Sequence, residues 1–411
     1  MSLSQGRPYL AIPGPSVMPD RVLAAMHRPA PNIYAGELVE AMPALIADLR
    51  AVARGTGHVA IYIANGHGTW EAANTNLFSR GDRALSLITG RFGEGWARTA
   101  GALGVEVERI DFGLRAAADP ARVEAALRAD RERRIRVVLL THVDTATSVR
   151  NDIAAVRAAI DAAGHPALLA VDAIASLGCE VLHMDGWGVD VLVAASQKGL
   201  MTPPGLGFVW LSGKALDASR GSDLRTPYWD WTPRIGKGEF YQYFGGTAPT
   251  HHLFALREAL TMLLHEEGLE AAWARHAALA RAVWAAFDVW GQGGAVELNL
   301  ADPGVRAHAV TSARFPAPMA TRLREWCEQE AGVTLGIGLG MAEFGEPAWH
   351  GFLRVAHMGH VNAHMVLGAL GVMEAGMRAL GIAHGAGGVG AAAAALADTG
   401  RVAEGSSAAA R

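Results

Sequence analysis

Short apolar runs alternate with helical stretches through the first half of the chain. The pattern predicts strands at Val59–Ala64, Ala84–Leu87, Ile135–Leu140, Ala167–Val171, Val191–Ala195 and Gly207–Leu211. Between them it predicts helices at Trp70–Leu77, Trp96–Leu103, Ala121–Ala129 and Ile153–Ala163. This alternation favours an α/β fold, in which a mostly parallel sheet carries helices on both faces. Such sheets bind their ligands at the carboxyl ends of the strands.

The second half of the chain has a different pattern. It predicts long helices at Leu253–Glu267 and Ala271–Trp290, then short strands near Val305–Ala313 and Val333–Leu339. With 51% hydrophobic residues, the chain can bury a large core in two or three domains. We therefore predict an N-terminal segment (1–13), a large domain (14–268), a smaller C-terminal α+β domain (269–384) and a mobile Gly/Ala-rich tail (385–411).

Lysine is rare in this chain. Its three lysines are Lys198, Lys214 and Lys237. Lys198 comes just after the apolar run Val191–Ala195, and the run Ala167–Val171 ends in Asp172. An acid at the end of a buried strand is unusual. A lysine and an aspartate at neighbouring strand ends suggest pyridoxal phosphate (PLP), because a lysine forms its Schiff base and an aspartate pairs with its pyridinium nitrogen. The alternative is that both are strand-end charges facing solvent.

The overall charge excludes some classes of partner. The formal net charge is −4, and no block of basic residues occurs, which argues against nucleic acid and anionic membranes. No apolar stretch approaches the roughly 20 residues of a membrane span. Two cysteines, Cys179 and Cys327, cannot build a disulfide framework and suit a reducing compartment. These observations predict a cytoplasmic protein with a small substrate.

Four segments carry a family resemblance through their order and spacing. They are NGHGTWEA at Asn65–Ala72, VDAIASLG at Val171–Gly178, SQKGLMTPPGLGF at Ser196–Phe208 and LRVAHMGH at Leu353–His360. From Ile12 to Arg354, the chain resembles the class V, fold-type I PLP aminotransferases of the alanine/serine–glyoxylate group. The resemblance implies a seven-stranded sheet in the large domain and a homodimer with active sites at the subunit interface. It also implies ping-pong transfer of an amino group from a small amino acid to a 2-oxo acid, with glyoxylate as the expected acceptor.

The resemblance also implies cofactor-binding residues. They are Asn65, Gly66, His67, Phe92, Thr145, Asp172, Gln197, Lys198 and, from the partner subunit, Thr247. Lys198 and Asp172 are the expected catalytic pair. The backbone N–H groups of Asn65–Gly68 open a helix and could hold a phosphate, although a generic glycine turn is the alternative. Phe92 matches an aromatic over the cofactor ring, but it could be an ordinary core residue. Thr147 or Ser148 could replace Thr145, and Thr247 could lie in a plain loop.

Two residues are expected to bind the substrate. Arg354 lies in the predicted strand Gly351–Val355, and its guanidinium offers two parallel donors for a carboxylate. A structural ion pair is the alternative for this arginine. Gly14 lies in the matching segment Ile12–Ser16. His357 and His360 resemble a metal pair only in spacing, and we expect no metal.

Other reactions remain open at this stage. A cysteine desulfurase shares the fold but needs a cysteine on a mobile loop, whereas Cys327 lies in a predicted polar helix. The amino donor could be alanine, serine or aspartate. Asn32–Ala35 and Pro227–Trp231, with Tyr34, Trp229 and Trp231, depart from the family pattern. An alternative is therefore a pyruvate-linked transaminase with an unusual donor.

Overall fold

The structure is a computed structural model that describes residues 3–236 and 238–408, with side chains through residue 398. Lys237 and the last three residues of the predicted tail lie outside the described residues. The strands are β1 (Tyr9–Ala11), β2 (His58–Ala64), β3 (Arg83–Ile88), β4 (Glu106–Asp111), β5 (Ile135–Thr141), β6 (Val143–Asp144), β7 (Val149–Arg150), β8 (Leu168–Asp172), β9 (Val191–Ala195), β10 (Gly205–Leu211), β11 (Glu297–Leu298), β12 (Val310–Arg314), β13 (Val333–Ile337) and β14 (Phe352–Ala356).

Helices alternate with these strands along much of the chain. They are α1 (Asp20–Met26), α2 (Glu37–Ala53), α3 (Gly66–Leu77), α4 (Arg91–Ala102), α5 (Pro120–Ala129), α6 (Ile153–Ala162), α7 (Gly213–Ser219), α8 (Thr250–Leu260), α9 (Leu269–Gly291), α10 (Met319–Ala331), α11 (Ala363–Ala379) and α12 (Gly388–Ala408). A π-helical segment, Thr261–Glu267, continues α8. In the part of the chain that the structure describes, no helix is long and apolar enough to cross a bilayer.

The larger sheet confirms the predicted α/β fold. Among the described residues it has seven strands, in the order β2-β10-β9-β8-β5-β3-β4, and β10 is antiparallel to both its neighbours. Helices α2, α5, α6 and α8 pack on one face, and α3, α4 and α7 pack on the other. Because both faces are covered, β8 and β9 are buried along their whole length. All six predicted strands belong to this sheet.

The edge strand β4 has no counterpart in the sequence prediction. It reads Glu-Val-Glu-Arg-Ile-Asp, and all its residues except Ile110 have some solvent exposure. Charged side chains on an edge strand block pairing with other chains but also remove the apolar signal of a strand. The predicted strand near Val305–Ala313 is likewise shorter. It begins at Val310, because Pro303–Val305 forms a 3₁₀ turn.

A second sheet has its own core. Its order is β1-β13-β14-β12-β11, and only β1 pairs in parallel, with β13. Helices α9, α10 and α11 bury their apolar faces against it. The predicted domain bounds stay a prediction. The larger sheet lies within 14–268 and β11–β14 lie within 269–384, whereas β1 joins the second sheet from the N-terminal segment.

The structure of the Gly/Ala-rich segment differs from the predicted tail. Instead of a mobile tail, residues Gly388–Ala408 form α12, which packs along α9. Ala392 is fully buried in the core of the second sheet. Alanine has the highest helix propensity, so the composition that suggested a tail also supports a helix once a packing surface is present.

Removing a buried side chain from the central strand β8 should destabilise the fold. Leu169 in β8 is fully buried, so Leu169→Ala should lower the free energy of unfolding by about 2–5 kcal/mol through lost burial and a residual cavity. Urea unfolding followed by circular dichroism measures this change. As a matched control, Leu3 is 78% exposed, and Leu3→Ala should change the free energy by less than about 0.5 kcal/mol. Equal losses in the two variants would contradict the core assignment.

Candidate active site

A cavity opens where the parallel strands of the larger sheet end. It encloses about 210 Å³ and receives side chains that follow β2, β3, β5, β8 and β9. Its lining residues are Asn65, Gly66, His67, Trp70, Phe92, Val143, Thr145, Asp172, Ile174, Ala175, Gln197 and Lys198. The structure thus brings together eight of the residues expected at the cofactor. Parallel strands place their carboxyl ends at one edge, which explains why segments more than 100 residues apart meet here.

Lys198 lies in the turn that follows β9, with its amine in the cavity. Its Nζ donates a hydrogen bond to the carbonyl of Pro13. Gly14 has φ +109°, and a Cβ at this position would collide with the Lys198 side chain. Burial lowers the pKa of Lys198 to about 8, and the positive charge of Arg354 contributes to the shift. A lysine amine with a lowered pKa is neutral, and therefore nucleophilic, in a larger fraction of molecules near neutral pH.

Asp172, the last residue of β8, is fixed by hydrogen bonds to both carboxylate oxygens. Oδ2 accepts from Trp70 Nε1 at 2.9 Å, and Oδ1 accepts from the backbone N–H of Ile174 at 2.8 Å. Only 3% of the residue is exposed, and burial raises the pKa of Asp172 to about 7. Asp172 is therefore a buried acid that can hold or share a proton at the base of the cavity, and it does not face solvent.

The first turn of α3 differs in detail from the sequence expectation. Asn65 caps the helix, since its Oδ1 accepts from the N–H groups of His67 at 3.1 Å and Gly68 at 3.3 Å. Two of the backbone donors expected to hold a phosphate are thus already bonded, because asparagine is a strong helix N-cap. The positive end of the helix dipole still faces the cavity. Nearby, Gln197 Oε1 is buried and has no hydrogen-bond partner among the described residues.

Aromatic rings line one wall of the cavity. Phe92 is half-buried, and its ring lies 6.4 Å from that of Trp70. Trp70 stacks on Trp96 at 6.3 Å, with 10° between the ring planes, and His67 meets Trp70 edge-on at 4.7 Å. Because Phe92 lines the cavity, it is more than a residue of the core. Its expected place over a cofactor ring stays a prediction.

Arg354 on β14 approaches this edge from the second sheet. Its Nε donates to the Ile337 carbonyl at 2.6 Å, and its Nη1 donates to the Thr145 carbonyl at 3.0 Å. Among the side chains that the structure describes, no carboxylate lies within 4.0 Å of its guanidinium. Burial lowers the pKa of Arg354 to about 10, and the charge of Asp144 opposes this shift. A structural ion pair, the alternative from the sequence, is absent among these residues.

Asp144 and Trp70 are functional candidates that the sequence analysis missed. Asp144 is buried, and its carboxylate accepts from the N–H groups of Phe92 at 2.7 Å, Gly93 at 3.2 Å and Ala146 at 3.0 Å. It thus caps α4 from another strand. Asp144 ends β6 and directly precedes the predicted Thr145, and Trp70 lies within the segment NGHGTWEA. The sequence alone does not show that Asp144 accepts hydrogen bonds from the start of α4 or that Trp70 donates one to Asp172.

Some sequence candidates lie elsewhere. Thr247 is exposed and does not line the cavity of its own chain. Tyr34 is 81% exposed, whereas Trp231 is fully buried. Trp229 packs against the start of α3, where a Cβ on Gly68 would lie 3.2 Å from its indole. His357 is buried, and it contacts Thr311 and the backbone of His308.

The cysteines do not have the properties that a desulfurase needs. Cys327 lies in α10, as predicted, and both Cys327 and Cys179 are fully buried. Burial raises the pKa of each thiol to about 12, so neither is a ready thiolate. The structure also contains no cluster of three or more His, Cys, Asp or Glu side chains suited to a metal within the described residues.

The cavity residues fit PLP. Lys198 supplies an amine, Asp172 a buried acid, and the start of α3 a positive helix end. The unpartnered amide oxygen of Gln197 marks a polar wall at the same end. Because Gly14 has no side chain, it leaves space for the side chain of Lys198, and a larger residue would fill that space.

Comparisons with known proteins agree with this geometry. Residues 52–351 match the family model Aminotransferase class-V. The serine–glyoxylate aminotransferase of Methylorubrum extorquens is 36% identical over 376 residues, which cover 90% of each chain. The L-aspartate–glyoxylate aminotransferase of Paracoccus denitrificans is 33% identical over 90% of this chain and 91% of its own. The solved pyridoxamine–pyruvate aminotransferase of Mesorhizobium loti superposes with a TM-score of 0.86 at 25% identity, covering 97% of this chain and 100% of its own. The chain therefore belongs to the class V aminotransferases, which are PLP-dependent enzymes of fold type I.

Proposed function

We propose that this protein transfers the amino group of a small amino acid, such as alanine, serine or aspartate, to glyoxylate by a ping-pong mechanism. The observation that carries the proposal is the position of Arg354, which has no carboxylate within 4.0 Å among the described side chains. A Cβ on Gly336 would contact both Arg354 and Pro13, whose carbonyl accepts from Lys198 Nζ. Amino acids and 2-oxo acids share a carboxylate next to the reacting carbon, so one arginine can hold both substrates in turn. The two glyoxylate-dependent relatives support this choice of acceptor.

The proposed roles follow from the geometry. Lys198 would carry PLP, and Asp172 would keep a proton at its pyridine nitrogen. Asn65, Gly66, His67 and Gln197 would hold the phosphate, while Phe92 and Thr145 would contact the ring. The chemistry that PLP supplies when bound is a sink for the electrons left at the substrate Cα and a place for the amino group between half-reactions.

Proton transfer is the main task of the protein's own groups. Arg354 binds the carboxylate, which fixes Cα relative to Lys198. The Nζ of Lys198 then removes the Cα proton in the first half-reaction and returns a proton to Cα of the acceptor in the second. With Gly14 beside it, the Lys198 side chain has space to reach this carbon.

The assembly belongs to the same proposal. The exposed Gly245–Thr247 turn suits a homodimer in which Thr247 contacts the phosphate in the partner's cavity. Cys179 and Cys327 form no disulfide, which supports a cytoplasmic location.

A second candidate uses pyruvate as the acceptor. The similarity to pyridoxamine–pyruvate aminotransferase favours it. Assays of each amino donor with glyoxylate and with pyruvate separate the two candidates, because the preferred acceptor should give the larger kcat/KM.

The attachment of PLP gives one prediction. Borohydride should fix PLP covalently to the peptide that contains Lys198, because this amine faces the cavity. Peptide mass spectrometry identifies the site. Lys214 is 54% exposed on the surface, so Lys214→Ala should be labelled like the unaltered protein, whereas Lys198→Ala should not. Labelling of the Lys198→Ala protein at the same stoichiometry would refute the assignment.

Asp172 gives another prediction. Asp172→Asn should lower kcat by about 10²–10⁴-fold, as expected for losing a proton-holding group, because an amide cannot keep the ring nitrogen protonated. Trp70→Phe provides the control, since it removes the Nε1 donor and leaves the carboxylate in place. Its effect on kcat should be much smaller. An Asp172→Asn enzyme with unaltered kcat would count against the proposed role.

Arg354 tests the substrate class. Arg354→Ala should lower kcat/KM by about 30-fold to several thousandfold in both half-reactions, equivalent to about 2–5 kcal/mol for a lost buried charge pair. Arg354→Lys should also be impaired, because an ammonium lacks the planar fork. Rapid-mixing absorbance measurements follow each half-reaction.

A nearby arginine provides the control for this test. Arg324 donates from Nε to the Leu335 carbonyl at 3.3 Å in the second sheet, so Arg324→Ala should affect stability more than kcat/KM. If Arg354→Ala loses PLP or unfolds while its folded fraction reacts normally, Arg354 has only a structural role.

A further inference from the structure

Arg91 is a second arginine at the mouth of the active site. It is the first residue of α4 and directly precedes Phe92, which lines the cavity. Its side chain is exposed, and in the described ranges no carboxylate lies within 4.0 Å of it. An arginine at a helix N-terminus faces the positive end of the helix dipole. Neither a salt bridge nor the helix dipole therefore accounts for a cation at this position.

One short turn lies between Arg91 and Arg354, the arginine proposed to bind the substrate carboxylate. The turn runs from Ile337 to Met341 and closes with a hydrogen bond from Met341 N to the Gly338 carbonyl at 3.1 Å. At its start, the Ile337 carbonyl accepts from Arg354 Nε at 2.6 Å. At Gly340, with φ +76°, a Cβ would lie only 2.6 Å from the Arg91 Cβ. The two arginines therefore flank the same short turn.

Positive charge predominates around Arg91 and Arg354, next to the cavity. Burial lowers the pKa of His67, and the Arg91 charge lowers it further. Burial also lowers the pKa of Arg354, where Arg91 again contributes. The buried acids Asp144 and Asp172 are occupied by backbone N–H groups and by Trp70. The exposed Arg91 and the buried Arg354 thus carry two positive charges, and neither has a carboxylate within 4.0 Å among the described side chains, which suits a ligand with two negative charges.

We propose that Arg91 binds the side-chain carboxylate of a short dicarboxylic amino donor, while Arg354 binds its α-carboxylate. This inference rests on the proposed function and narrows its donor to the aspartate class. Among the proposed donors, alanine and serine lack the second carboxylate, so Arg91 makes the enzyme discriminate between donors of similar size.

The experiment compares L-aspartate with L-asparagine, its neutral isostere. The PLP-loaded enzyme, Arg91→Gln and Arg98→Gln are assayed with glyoxylate. Arg98 is the matched control, because it lies on the same helix with a side chain that is 63% exposed. In Arg91→Gln, the ratio of kcat/KM for aspartate over asparagine should fall about 10- to 100-fold, as for a lost hydrogen bond to a charged group. Arg98→Gln should keep the ratio of the unaltered enzyme. An unchanged ratio in Arg91→Gln overturns the proposal.

A binding measurement separates this inference from the proposed reaction. Calorimetry gives the dissociation constants of succinate, a dicarboxylate, and butyrate, a monocarboxylate, without any turnover. Arg91→Gln should weaken succinate by about 10-fold or more relative to butyrate. If neither amino donor reacts but this selective loss appears, the proposed reaction fails and the role of Arg91 stands. Equal losses for both ligands, or none, overturn the role of Arg91.

Discussion

A buried guanidinium connects the second sheet of this protein with the cavity at the edge of the larger sheet. Arg354 extends from β14 and donates to carbonyls of Ile337 in the second sheet and Thr145 beside the larger one. Carbonyl oxygens accept from its Nε and Nη1 but do not neutralise its charge. A desolvated cation without a counter-ion is costly. The same charge contributes to the lowered pKa of Lys198. The contact with Thr145 therefore places a positive charge near the amine of Lys198.

Hydrogen bonds hold the cavity residues in place before any substrate binds. Asp172 is fixed by Trp70 and Ile174, and Asp144 fixes the start of α4 together with Phe92. Asn65 uses its side chain to begin α3. Asp172 and Asn65 lie at strand ends of the larger sheet, and Asp144 ends β6 in the small sheet β6-β7. Such preorganisation reduces the reorganisation needed during proton transfer.

Much of the fold could be predicted because the parallel strands are buried on both faces. Short, continuous apolar runs such as Val191–Ala195 are typical of strands in that environment. The exceptions were segments whose neighbours decide their structure. The charged strand β4 becomes a strand only by pairing with β3, and β1 only by pairing with β13. Likewise, Gly388–Ala408 is helical where α9 offers it a packing surface. Pairing and packing partners far along the chain are invisible to local patterns.

The candidate site likewise has features that the sequence predicts and features that only the tertiary structure shows. The sequence by itself determined the chemical groups and the edge at which they meet, because Lys198, Asp172 and Asn65 follow strands whose order fixes a common end. Only the tertiary structure decided how these groups are bonded. It showed that Asn65 uses two helix donors, that Asp144 caps a distant helix, and that Arg354 and Arg91 have no acidic partner among the described residues. The physical reason is that a hydrogen bond or an unpaired charge depends on distances of a few ångströms between remote segments, which residue order does not specify.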